Sequence, residues 1–171
     1  MANNPTWCLF EAIGDSTIAN TDVETSFTPD GIGSATLPAD WFEVGRSIEV
    51  RAGGYYSTAG NPNLHMAIHL NDIELLETND AATANNASEL EWEVRGRIVC
   101  RTTGATGTVM ATGWTIYASG LTDGSVAEFQ TLTSAVEVDT TGTIAITVNA
   151  HWGTAAAGNT ITLTTLNISA D

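Results

Sequence analysis

Between Leu90 and Arg101 apolar and polar residues alternate with a period of two. Leu90, Trp92, Val94, Ile98 and Cys100 fall on one side, and Glu91, Glu93, Arg95, Arg97 and Arg101 on the other. Successive side chains of a β-strand point to opposite faces, so this segment predicts a long strand with one buried and one charged face. The signature recurs at Ser47–Ser57, where Ile48, Val50 and Ala52 oppose Glu49 and Arg51. It recurs in Leu64, Met66, Ile68 and Leu70, and at Thr108–Ala118, where Met110, Thr112, Trp114 and Ile116 share a face. No stretch carries a convincing 3.6-residue period. Thr6–Ile13 is apolar on both faces, which calls for cover on both sides, from the chain's own fold or from a neighbouring subunit.

Turn chemistry joins these segments. Asn71-Asp72 links Leu64–Leu70 to Ile73–Thr78 as a tight hairpin. Gly53-Gly54 places a bulge before Tyr55-Tyr56, and the apolar phase slips between Leu163 and Leu166, which places another at Thr164-Thr165. Asn79–Ser88 and Ser119–Ser125 read as surface loops, Ala127–Val138 as one or two strands, and Thr143–Trp152 with Asn159–Ile168 as a final pair. About eight to ten strands follow, and the fold class is all-β: a two-sheet antiparallel β-sandwich, jelly-roll-like, with a closed barrel second. The 171 residues make one domain (1–171), within which 1–20 could serve as an N-terminal intersubunit strand or arm.

Composition narrows the function. Twenty acidic residues stand against five basic ones, all arginine, for a net charge of −15. Such a chain lacks the cations needed to displace phosphate counterions, so nucleic acid is not expected as a partner, and anionic membranes are disfavoured alike. Solubility, or docking on a basic protein surface, accounts for the excess. Charged residues are only 15 % of the chain, which leaves Thr, Ser, Asn and Ala to cover much of the surface. The first residues carry neither the basic nor the apolar region of a secretory signal, so manufacture in a cytoplasm is expected.

Candidate chemistry is sparse. Gly14-Asp15-Ser16 follows an apolar strand, as the nucleophile block of Gly-Asp-Ser esterases does. Thr17–Phe27 has no helical pattern, however, and Val148 stands where the Asp partner of His151 would be. A serine without a base is not activated, so a turn motif is the better reading. His65 and His69 share one strand face but lie ~13 Å apart, too far for one ion without an intervening ligand. His151 belongs to another strand, and all three are read as surface histidines. Cys8 and Cys100 are read as buried free thiols. No catalytic, cofactor or metal residue is assigned, and the chain is expected not to be an enzyme.

Interface candidates are clearer. Arg95, Arg97 and Arg101 form, with Glu91 and Glu93, either cross-strand ion pairs on a solvated face or an intersubunit or host contact. Trp92 and Trp114 follow the apolar phase and are assigned to the core. Trp41 and Phe42, after Pro38, are the candidates for an exposed aromatic patch, and Trp7, Leu9 and Phe10 for a subunit contact.

Several segments are distinctive in combination. They are Gly33-Ser-Ala-Thr-Leu-Pro-Ala-Asp-Trp-Phe-Glu-Val-Gly-Arg-Ser-Ile-Glu-Val-Arg51, Gly54-Tyr-Tyr-Ser-Thr58 and Asn61-Pro-Asn-Leu64. Val99-Cys-Arg-Thr-Thr-Gly-Ala-Thr-Gly-Thr-Val109 and His151-Trp-Gly-Thr-Ala-Ala-Ala-Gly-Asn-Thr-Ile161 complete the set. From about residue 20 onward the chain resembles small all-β structural proteins of tailed bacteriophages. The resemblance implies a virion component, homotrimeric, acting as a capsid decoration (cement) protein on the outer capsid surface with the major capsid protein as its partner. The alternative it implies is a tail fibre, spike or baseplate module that recognises a host glycan. A free carbohydrate-binding or hydrolytic protein is the third reading.

Overall fold

The structure, a computed structural model, describes residues 7–78, 81–120, 124–132 and 134–171. Its regular elements are strands: β1 (Trp7–Ala12), β2 (Ser16–Ala19), β3 (Thr25–Ser26), β4 (Gly31–Gly33), β5 (Thr36–Leu37), β6 (Ser47–Ser57), β7 (Asn63–Leu70), β8 (Ile73–Glu77), β9 (Ala81–Ala82), β10 (Leu90–Thr102), β11 (Thr108–Gly120), β12 (Gly124–Thr131), β13 (Val136–Glu137), β14 (Ile144–Trp152) and β15 (Thr160–Ala170). Nine of these run five residues or longer, which is the number the alternation implies; the other six are pieces of two to four residues.

Two antiparallel sheets pack face to face as a β-sandwich. The larger has the order β12-β11-β10-β6-β15-β1-β4, with β13 on β11 and β2 on β15. The smaller runs β3-β14-β7-β8, with β5 on β14 and β9 on β7. The alternation drives this packing. Ile48, Val50, Val94, Ile98, Ile161 and Ile168 of the larger sheet meet Leu64, Met66, Ile68, Ile146 and Val148 of the smaller, and all are buried. Trp92 stacks on Phe27 with ring centroids 5.8 Å apart and donates its indole N–H to the Thr162 carbonyl at 3.2 Å. The Asn71-Asp72 hairpin forms as the turn chemistry requires, with Asn71 at φ 53°.

Two phase assignments need correction. In β11 the register with β10 turns Val109, Ala111, Thr115 and Tyr117 inward. Met110, Thr112, Trp114 and Ile116 therefore lie on the outer face, and Trp114 is half-buried there opposite Arg95. Both phases of β11 contain apolar residues, so alternation alone does not choose between them. The expected bulge at Gly53-Gly54 lies instead on the neighbouring strand. The β15 register slips between Leu163 and Thr165, as its own apolar phase predicts, and β6 runs straight through both glycines.

The sheets interlock at one spot. Gly96 of β10 pairs with Gly113 of β11, leaving a bare hollow on the inner face. Leu76 of β8 fills it: its Cδ1 stands 2.8 Å from where a Cβ would sit on either glycine, and Ile68 Cδ1 stands 2.7 Å from that of Gly96. Burying such a side chain contributes about 1.5–3 kcal/mol. At the opposite end of the larger sheet, β1 pairs with β15 from Trp7↔Ala170 to Glu11↔Asn167, and β4 takes its other edge.

Gly113→Ala tests the hollow. Its Cβ would meet Leu76 Cδ1, the Arg95 carbonyl oxygen and Gly96 Cα, an overpacking that costs roughly 1–3 kcal/mol. Gly142→Ala, where nothing lies within 4 Å, is expected to stay within about 0.5 kcal/mol of the parent. Urea unfolding of both proteins checks the difference, and equal midpoints would contradict the interlock.

Candidate functional site

The outer face of the smaller sheet gathers all three histidines. On β7, Leu64, Met66, Ile68 and Leu70 point into the core, which leaves His65 and His69 on the other face. The β14–β7 register sets His151 directly opposite His65, and their rings stack with centroids 4.5 Å apart. The three are not surface histidines: His69 is 8 % exposed, and the His65 side chain 13 %.

A β-bulge supplies the carboxylates. Strict alternation in Ile73-Glu-Leu-Leu-Glu77 would send Glu74 and Glu77 to opposite faces. The β7–β8 register slips, so that Ala67 faces Glu77, Ile68 faces Leu76 and His69 faces Glu74. Leu75 is the extra residue, and both glutamates emerge beside the histidines. Glu24, just before β3, closes the cluster from the other side. Its Oε1 accepts from Asn149 Nδ2 at 2.6 Å and stands 2.9 Å from His69 Nε2, while Ser26 Oγ donates to Asn149 Oδ1 at 2.7 Å. Glu74 Oε2 lies between the two β7 histidines, 3.6 Å from His69 Nε2 and 3.8 Å from His65 Nε2. Glu77 Oε2 stands 3.5 Å from His65 Nε2. A groove of about 640 Å³ adjoins the cluster and is lined by Glu24, Ser26, His69, Asp72, Thr147 and Asn149 among others.

Three carboxylates converge here without a permanently charged partner. The chain has no lysine, and every arginine belongs to the larger sheet or the loop entering it: Arg46 before β6, Arg51 on β6, and Arg95, Arg97 and Arg101 on β10. The Glu74 carboxyl is pushed up to about 7, first by burial, then by its hydrogen bond with Glu77 and the charges of Glu77 and Glu24. It keeps 35 % of its side chain exposed, so solvent screens part of that effect.

The interface candidates are dispersed. Trp7 is 67 % exposed and Leu9 half-buried, whereas Phe10 belongs to the core. Phe42 is also buried, and Trp41 lies half-buried against it with Arg46 Cζ 4.9 Å above its ring, so this pair is not an open aromatic patch. Arg95 and Arg51 both pair with Glu49 Oε1, and Arg97 with Asp171 Oδ2 at 3.5 Å, rather than with Glu91 or Glu93. Register allows this: Arg95 lies across from Arg51 and has Glu49 as its diagonal neighbour on β6, within cross-strand reach. Arg101 is exposed. Ser16 opens β2 rather than a turn, and its Oγ accepts the Thr28 N–H at 3.0 Å. Both cysteines are free, but only Cys100 is buried; Cys8 is exposed. Ile13, at the end of the Thr6–Ile13 segment expected to need cover, is 68 % exposed, and so is Ile32 of β4, which sequence reasoning missed. Of the two loop expectations, residues 79–80 and 121–123 lie outside the described residues.

Comparison with known protein families, with curated proteins and with solved structures finds no match to this chain.

The raised Glu74 pKa fixes a direction for stability against pH. The folded state holds this proton more tightly than the unfolded chain, so its contribution is complete below about pH 4.5 and is lost as pH rises through about 7. Glu74→Gln keeps the shape without the charge. Its thermal midpoint is expected to match the parent's in acid and to exceed it above neutrality. Parallel profiles of midpoint against pH for the two proteins would refute the assignment.

Proposed function

We propose that the chain is a non-enzymatic structural protein of a tailed-bacteriophage virion, a capsid decoration protein that docks on the outer capsid surface as a homo-oligomer. The observation that carries this reading is the exposed apolar edge of the larger sheet. Trp7 at the start of β1, Ile13 just after it and Ile32 on β4 are each about two-thirds exposed, which leaves large apolar side chains available for contact along this end of the sheet. The sequence segments that resemble phage structural proteins support the same reading. The net charge of −15 suits docking on a basic protein surface. Each copy would contact several capsid subunits, so that expansion or disassembly has to break many weak interfaces together.

Capsids assembled without the protein provide the test. Saturable binding at regular lattice positions, with raised resistance to heat, is the expected result. The double variant Trp7→Ser/Ile32→Ser removes exposed apolar area only, so it should fold like the parent and occupy the lattice at least about tenfold more weakly. Bare capsids, together with adhesion of the protein to host cells, would replace this reading with tail-borne recognition of the host surface.

A further inference from the structure

We propose that Glu24, His65, His69, Glu74 and Glu77 bind a divalent transition-metal ion of the zinc class on the outer face of the smaller sheet. The inference is independent of the virion reading and stands on the geometry of the side chains.

Two overlapping triads carry it. His69, Glu24 and Glu74 each bring one ligand atom to within 4.8 Å of the others, and so do His65, Glu74 and Glu77. Nitrogen and carboxylate ligands bond zinc at ~2.0–2.2 Å, which places neighbouring ligand atoms roughly 3–3.5 Å apart. The separations of 3.6 Å around His69 and of 3.5 and 3.8 Å around His65 need at most a few tenths of an ångström of contraction to match, the 2.9 Å between Glu24 and His69 needs a slight widening, and the remaining pair in each triad lies within 4.8 Å. Glu74 belongs to both triads and is the intervening ligand that two histidines four residues apart on one strand require. A third set, Glu24, His65 and His151, closes the ring.

Three further observations point to a cation. His69 Nε2 is buried and makes no hydrogen bond, although Glu24 Oε1 lies only 2.9 Å away: the oxygen is near the nitrogen but off its bonding direction. Asn149 holds Glu24 by a hydrogen bond at 2.6 Å and is itself held by Ser26, the outer support that ligating carboxylates characteristically have. The Leu75 bulge turns both glutamates to the histidine face, and bulges of this kind re-aim side chains at functional sites. The mixed imidazole and carboxylate donors select zinc, cobalt, manganese or iron(II) over calcium and magnesium, which take oxygen ligands. The His69 triad is the primary position, since His69 is the more buried histidine and Glu24 the better supported carboxylate.

Titration of the full chain, stripped with chelator, with zinc chloride in a calorimeter tests this. One equivalent bound with low-micromolar affinity or better is expected, together with a thermal midpoint raised by zinc and restored by chelator. His69→Asn and Glu74→Gln should each weaken binding by at least about tenfold, and Asn149→Ala by about tenfold through the positioning of Glu24. Cys8→Ser should bind as the parent does. Cobalt(II) on the parent gives a readout that survives a misfolded variant: visible d–d bands of nitrogen and oxygen ligation, without a thiolate charge-transfer band. The proposal is overturned if the parent shows no saturable binding, if folded His69→Asn or Glu74→Gln binds undiminished, or if the cobalt spectrum reports thiolate ligation that Cys8→Ser abolishes.

Discussion

The contact of Leu76 and Ile68 with the bare Gly96–Gly113 pair is the constraint on which the arrangement of the sandwich rests. It fixes how far the smaller sheet stands from the larger and at which height β7 and β8 cross β10 and β11. Two adjacent glycines in the middle of long strands are costly for sheet formation. The methyl groups that enter the hollow offset the cost, and any other register would leave the hollow empty. The hairpin anchored by this contact is the one that carries His65, His69, Glu74 and Glu77. Leu76 turns inward to the glycines, and the Leu75 bulge beside it sends both flanking glutamates outward. The polar cluster is thus the reverse side of this junction.

The two outer faces differ in kind. On the larger sheet, arginines are answered by Glu49 and Asp171 across neighbouring strands, in exposed pairs of small individual worth. On the smaller sheet, the carboxylates of the cluster face imidazoles, whose charge depends on pH, and among the described residues no arginine. A chain with five arginines and no lysine has spent all its permanent cations on one side. The other side is left responsive to protons and to dissolved cations.

Much of the fold was legible because a period of two is a strong signal when one phase is apolar and the other charged. Leu90–Arg101 and Ser47–Ser57 are such segments, and both form strands over nearly those bounds. The Leu163–Leu166 slip was legible for the same reason, since a bulge is a break in phase. Trp114 was not, because both phases of β11 are apolar and only pairing with β10 chooses the inner one. Phe42 and the histidine cluster were hidden for a deeper reason. Nothing local to Trp41-Phe42 reports that the loop folds inward. The meeting of His151 with His65 depends on a strand register set some eighty residues away, and that of Glu74 with Glu77 on a one-residue slip in Ile-Glu-Leu-Leu-Glu. That pentapeptide reads as an ordinary strand whichever way it slips.

The pairing of β1 with β15 joins positions 163 residues apart, from Trp7 to Ala170. At ribosomal speeds of about 5–20 residues per second, β1 waits on the order of ten to thirty seconds for the strand that completes its ladder. During that interval Leu9 and Phe10 lack their neighbour, and only β4 can engage the other edge. Closure of the larger sheet is therefore among the last events in the birth of the molecule. Sequence separation of this size also slows folding, because loop entropy is lost before the contact stabilises anything. The time at which the nascent chain becomes safe from aggregation is set by the arrival of β15, which also brings Ile161 and Ile168 to the core.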